Sequence, residues 1–207
     1  RLNAGTGFRV VNLFTEDHAA LTGSRDVIIA EKLKPERSFN VNLNYLKKIY
    51  GDNGTFVSLD ASVVYTNFQN VIIPDYDTNP NQIIYDNLNG TSISKGVSAN
   101  VDVSFYNGLK FMLGGTLQNV SNTEGQILTE SYSANWSISY DIRAWDLSVD
   151  YTGNLYGPMR LPTLGKNDPR SDYSPAWSIQ NIQFTYDGLK NFEFYGGVKN
   201  LLDWTPN

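Results

Sequence analysis

Apolar and polar positions alternate along most of the chain. From Phe39 to Tyr45 the sequence FNVNLNY places Phe39, Val41, Leu43 and Tyr45 on one side and Asn40, Asn42 and Asn44 on the other, the period of a strand whose successive side chains point to opposite faces. The pattern returns at Thr55–Thr66, where Val57, Leu59, Ala61, Val63 and Tyr65 oppose Ser58, Asp60, Ser62 and Thr66, and again at Val97–Phe105. After Asn107-Gly108, a two-residue hairpin signal, Leu109, Phe111, Leu113 and Leu117 alternate with Lys110, Met112, Thr116 and Gln118. Tyr132, Ala134, Trp136, Ile138 and Tyr140 form one side of a further run, and Leu147, Val149 and Tyr151 one side of the next. Two noisier strands follow, Trp177–Tyr186, whose slipped phase marks a bulge, and about Lys190 to Asn200. With a strand at Arg1–Thr6, this predicts about nine strands and no helix of consequence.

A soluble sandwich and a membrane barrel both alternate in this way, and three features favour the barrel. Several runs approach thirteen residues, or about 40 Å at about 3.3 Å per residue, where ordinary strands run about five or six. Short turns near Tyr50–Gly54, Asn107-Gly108, Arg143–Asp146 and Asp187–Lys190 alternate with longer segments at Asn70–Ser92, Ser121–Ile127 and Gly153–Ala176, as in barrels with short turns at one end and long loops at the other. The named apolar-face residues carry no charge, and aromatics sit where girdles belong: Tyr65, Tyr132 and Tyr151 toward the long loops, Tyr45, Phe105 and Tyr140 toward the short turns, with mid-strand Trp136 as the exception. The other face is mostly Ser, Asn and Thr, the lining of a polar lumen rather than the Lys- and Glu-rich surface of a soluble sheet.

Composition narrows the chemistry. The 207 residues carry a formal charge of −5, with no Cys and a single His, which excludes a disulfide scaffold, thiolate chemistry and most nucleophile–base pairs. No eighteen-residue apolar run offers a transmembrane helix. The chain opens without an initiator Met or signal-peptide pattern, so a targeting peptide is expected to lie outside it or to have been removed. An acidic balance without Lys/Arg clusters argues against nucleic acid as a partner. No cofactor, metal cluster or catalytic constellation is indicated, and Asp60 and Asp102 fall in the lumen-facing set as ordinary hydrogen-bonding groups.

Four segments carry a family resemblance. GTGFRVVNLFTED (Gly5–Asp17), LKPERSFNVNL (Leu33–Leu43), YDN with SKGV (Tyr85–Val97) and GGVKNLLD (Gly196–Asp203) resemble, in order and spacing, segments of TonB-dependent outer-membrane receptors. NLFTEDHAALTGSR looks most like receptors of Bacteroidetes-type bacteria. The chain departs from the family pattern where the Pro after GFR is Val11 or Asn12 and where the Glu after KG is Ser98. The resemblance implies an all-β antiparallel transmembrane barrel, of which residues 1–207 form the C-terminal portion, with the plug domain and final strand outside it. The whole barrel would have roughly 22 strands. It also implies a bacterial outer-membrane location, bilayer lipid, a plug domain and TonB as partners, and TonB-energised uptake of a scarce nutrient, by default an iron-siderophore complex.

Binding residues would then come from the long loops. PDYDTNPNQIIYDN groups Asp75, Tyr76, Asp77 and Tyr85, while YGPMRLPTLGKNDPR brings Arg160, Lys166 and Arg170, able to pair with an anionic ligand. Each of these also reads as a residue of a solvated, turn-rich loop, and His18, beside Glu16 and Asp17, as a lone histidine. The rival readings are a soluble carbohydrate-binding or adhesive β-sandwich and a passive porin-like channel.

Overall fold

The computed structural model describes residues 1–10, 26–30, 32–75, 78–79, 81–88, 90–121, 128–161 and 169–205. Nine strands form one antiparallel sheet in the spatial order β1 (Leu2–Arg9), β3 (Glu36–Tyr50), β4 (Phe56–Gln69), β7 (Thr91–Ser104), β8 (Leu109–Ser121), β9 (Tyr132–Ile142), β10 (Leu147–Tyr156), β11 (Trp177–Leu189) and β12 (Phe192–Val198). Three short strands, β2 (Asp26–Ile29), β5 (Ile72–Asp75) and β6 (Gln82–Asn87), make a second sheet ordered β2-β6-β5, with β2 parallel to β6.

The large sheet is built on the alternation. Continuous register turns each strand's period of two into rows across the sheet, so Leu2, Leu43, Val63, Val97 and Leu117 adjoin on five successive strands. They are 68%, 52%, 48%, 49% and 66% exposed. On the opposite face Ser62, Ser98, Thr116 and Ser133 form a polar row. A soluble sandwich would cover its apolar face with a second layer. Here the buried apolar side chains among the described residues, Ile72, Ile83, Tyr85 and Leu88, all lie in or beside the small sheet. The apolar face therefore meets lipid. Strands β3, β4, β7, β8 and β11 have 13 to 15 residues, and at about 3.3 Å per residue and a tilt of about 40° they rise about 35 Å, enough to cross a hydrocarbon core of about 30 Å.

The turns follow local chemistry. At β7–β8, Phe105 N–H bonds Leu109 O (2.8 Å), Gly108 N–H bonds Phe105 O (3.2 Å), and Leu109 N–H bonds the Asn107 side-chain oxygen (3.2 Å). Gly51, Asn53, Gly54 and Thr55 repeat this arrangement at β3–β4, with the same three contacts at 2.8, 3.0 and 3.0 Å. Gly54 and Gly108 take φ of 79° and 92°, whereas neither Asn53 nor Asn107 has positive φ. The Asn-Gly hairpin is thus a three-residue loop ending in a left-handed glycine, not the two-residue turn that the dipeptide suggested. A single 3-10 turn, Arg143–Trp145, joins β9 to β10. Pairing with β10 is continuous across Trp177–Tyr186, so the slipped phase there is not a bulge; a register shift against β12 lies beyond it, between Tyr186 and Leu189.

Two boundaries differ from expectation. Residues 70–92 are not a featureless loop but hold β5 and β6. Strand β10 continues to Tyr156 rather than ending near Gly153, which leaves Tyr151 mid-strand instead of in a girdle, where its hydroxyl donates to Gln180 Oε1 (2.7 Å). Trp136, the other mid-strand aromatic, lies over Gly153, its direct register partner.

Candidate functional site

The long-loop end of β1, β3 and β4 carries a polar junction. Arg9, the last residue of β1, faces Glu36, the first of β3, in register, with Arg9 Nη2 3.3 Å from Glu36 Oε2. The same guanidinium donates to Ile72 O (3.4 Å), and the same carboxylate accepts from Ile72 N–H (3.3 Å). The ion pair thereby engages both backbone groups of the first residue of β5. Asn87, at the end of β6, accepts from Lys34 N–H (2.6 Å) and donates to Lys34 O (3.0 Å) and Asn70 O (2.8 Å). Arg9 lies in the GFR segment, Glu36 in KPE and Asn87 in YDN. Three of the four family-like segments meet at one place, where they fasten the small sheet to the rim of the large one.

The fourth segment builds a turn. Asn200 takes φ of 54°. Its side-chain oxygen accepts from Trp204 N–H (3.1 Å) while its amide donates to Trp204 O (2.8 Å), and its backbone N–H donates to Asn181 Oδ1 (3.0 Å). Asparagine suits this role because it tolerates the left-handed region and carries both a donor and an acceptor.

The candidate loop residues separate into two places. Asp75 ends β5, where Oδ1 accepts from Thr78 N–H (2.9 Å) and closes the following turn. Tyr85, 6% exposed, packs with Ile72 and Ile83 in the small core, so its ring serves that core and is not offered to a ligand. Tyr76, Asp77, Lys166 and His18 lie outside the described residues. Arg160 pairs with Tyr173 in a bridge that extends the β10–β11 hairpin, and its carbonyl accepts from Leu128 N–H (2.8 Å), tying this loop to the one after β8. Arg170 is exposed in the same loop. No group of three or more His, Cys, Asp or Glu among the described residues could hold a metal ion.

The polar face contributes hydroxyls, amides and isolated acids. Asp102 faces Ser58 and Asp60 faces Asn100 across β4–β7. Asp150 accepts from Ser139 Oγ (2.5 Å), and Lys110 pairs with Asp141 at 3.4 Å in an exposed bridge of small energetic worth. Asn100 and Asn135 converge over Gly114, where a β-carbon would clash with both amide oxygens. On this same face, at the long-loop end, Tyr156 stacks on Trp177 (centroids 4.3 Å apart) and Trp177 on Trp204 (4.7 Å). Sequence reasoning did not single out this stack. Its members are distant in the chain, and each alone reads as an ordinary strand or loop aromatic.

The family model described as TonB dependent receptor-like, beta-barrel, matches residues 1–201. The chain belongs to that family. Its members are outer-membrane proteins, which agrees with an apolar face open to lipid. Among solved structures, the copper transporter OprC is similar over 98% of this chain and 31% of its own, at 15% identity and a TM-score of 0.73. A variant of the ferric enterobactin receptor PfeA from Pseudomonas aeruginosa, in complex with enterobactin, is similar over 98% and 33%, at 20% identity and a TM-score of 0.67. The siderophore receptor PirA from the same organism is similar over 99% and 36%, at 16% identity and a TM-score of 0.66. The chain therefore spans about a third of the length of these relatives, and at such identity the likeness is one of fold. No curated protein matches the sequence.

Proposed function

We propose that these strands are the C-terminal portion of a receptor barrel that takes up an iron-siderophore complex across the outer membrane, powered by TonB acting on a plug domain seated in the lumen. The observation that carries this reading is the two-faced sheet, apolar toward lipid and lined inside with amides and hydroxyls, in a chain that the receptor-barrel family model covers from residue 1 to 201. Two further observations support the cargo: solved neighbours named as siderophore receptors, and the β10–β11 loop, which carries Arg160 and Arg170, a residue type able to pair with an anionic chelate. In this reading the junction of Arg9, Glu36 and Asn87 is architectural, and ligand contacts come from the loops and the upper polar face. Deleting the gene in its host under iron starvation and measuring uptake of radiolabelled ferric siderophores is the test. Uptake of at least one chelate should fall to background and return with the intact gene. Uptake unchanged for every chelate tried would remove the iron reading, and ligand-independent ion conductance by the purified protein would point to a passive pore instead.

A further inference from the structure

The lipid-facing surface changes character at its long-loop end. In its paired rows the charged residues are Arg37, Lys47 and Lys95, three cations and no acid, in a chain of net charge −5. Asp60, Asp102, Asp141 and Asp150 all fall on the polar face. Arg37 and Lys47 stand ten residues apart on β3, which at about 3.3 Å per residue and a tilt of about 40° is a rise of about 25 Å, the height of a barrel's apolar band. Short turns of such barrels face the periplasm, so Arg37 marks the outer interface and Lys47 the inner one. Their surroundings differ. Lys47 has Leu59 as its register partner on β4 and serves as an ordinary interfacial anchor. Arg37 stands between Phe8 on β1 and Gln69 on β4, and the next row toward the bilayer centre is Thr6, Phe39 and Asn67. These six residues help to line a groove of about 640 Å³. Arg9, on the polar face of the same rim, is paired with Glu36, whereas the Arg37 guanidinium has no hydrogen-bond or ion-pair partner among the described residues.

We infer that this groove is a binding site for a phosphate-bearing glycolipid headgroup of the outer leaflet. The guanidinium of Arg37 presents paired donors that match a phosphate, and the amides of Asn67 and Gln69 with the Thr6 hydroxyl supply donors and acceptors for sugar oxygens. Phe8 and Phe39, 81% and 48% exposed, flank the head, and Val41 and Leu43 continue the same face of β3 as a path for acyl chains. Lys95, between Tyr65 on β4 and Asn119 on β8, adds a second cation to this outer band. A free inorganic anion would use the guanidinium alone, whereas a lipid also uses the aromatic flanks and the apolar path below them. The groove lies on the side of the sheet away from the lumen, so the site is independent of what the barrel imports.

The test uses the full-length receptor carrying these strands, purified in detergent and freed of bound lipid, with two probes: monophosphoryl lipid A and the same lipid with its phosphate removed. Bound lipid is counted by native mass spectrometry across a titration. The wild type should hold the phosphorylated lipid about tenfold more tightly than the other, and Arg37→Gln should erase that preference. Lys47→Gln, at the inner interface, should leave it unchanged, and inorganic phosphate in large excess should not displace the lipid. Each variant is first shown to keep its heat-modifiable mobility on gels, so loss of folding is not read as loss of the site. The proposal is overturned if the wild type binds neither probe or both equally, or if Arg37→Gln keeps the preference. It is also overturned if Lys47→Gln loses as much, which would mean general surface charge, or if inorganic phosphate displaces the lipid, which would mean a site for free anions.

Discussion

Gly153 offers a quantitative test of how the lipid-facing surface is assembled. It lies in β10 directly opposite Trp136, whose ring covers it; a β-carbon built there would clash with Trp136 Cε2 and Cζ2 and lie 2.6 Å from Nε1. Strand β10 is held by ladders to β9 and β11, so its backbone cannot retreat and the indole must leave its seat. Forcing a methyl into an occupied site costs about 1 to 3 kcal/mol, and replacing a strand glycine by alanine recovers about 0.5 to 1, so Gly153→Ala should lose about 1 to 2 kcal/mol. Trp136→Ala alone should lose about 1 kcal/mol, because a ring facing lipid forfeits its packing but little hydrophobic driving force. In the double variant the clash is gone and the glycine gain remains, so its stability should lie within about 0.5 kcal/mol of wild type, a coupling of about 2 kcal/mol. The assay is urea unfolding of the full-length receptor in lipid vesicles, followed by the gel mobility of unheated samples. A Gly153→Ala protein with the wild-type midpoint, or a double variant whose loss is the sum of the single losses, would refute the reasoning.

Leu43→Arg, on the lipid face, should cost about 2 to 4 kcal/mol and sharply reduce the yield of folded receptor in the membrane, whereas Asn44→Arg, one residue along on the polar face, should assemble nearly as wild type. Glu36→Gln weakens a pair whose Arg9 side chain is half exposed, so barrel melting should shift by less than about 1 kcal/mol; faster protease cleavage within residues 72–88, from the loosened small sheet, is the expected readout. Asn87→Ala leaves Lys34 N–H and the Lys34 and Asn70 carbonyls without this partner, so the amides of β6 should exchange faster by the equivalent of about 1 to 3 kcal/mol, with β7 to β11 unchanged. Asn200→Gly should be milder than Asn200→Ala, since glycine adopts the φ of 54° freely, and equal melting of the two would show that backbone conformation is not what this position demands.

The large sheet was legible in the sequence because each strand declares its own two faces. A period of two needs no partner to be read, and short turns alternating with long connections supplied the order of the strands. The slipped phase within Trp177–Tyr186 misled, since that span pairs with β10 without a shift and the irregularity lies after Tyr186, where no pattern announced it. The site was less legible. Asp75 and Tyr85 occur in a stretch rich in Pro, Asn and Asp, which reads as loop, yet Ile72, Ile83 and Tyr85 form a small core once β2 arrives from far upstream as a parallel neighbour. Pairing of that kind lies between residues with no local pattern in common, so periodicity cannot reveal it.

By itself the sequence determined the alternation, the two environments that it serves, the meander and, through four family-like segments, the kind of barrel. It also held Arg9, Glu36 and Asn87 in view, as letters of separate motifs. Only the tertiary structure showed that they converge on Ile72, Lys34 and Asn70, that Trp136 fills the space above Gly153, and that Tyr156, Trp177 and Trp204 stack at the long-loop end of the polar face. The division has a physical cause. Which face a strand residue occupies is fixed by its own backbone, whereas which side chain stands beside it is fixed by the register of strands that meet only after folding.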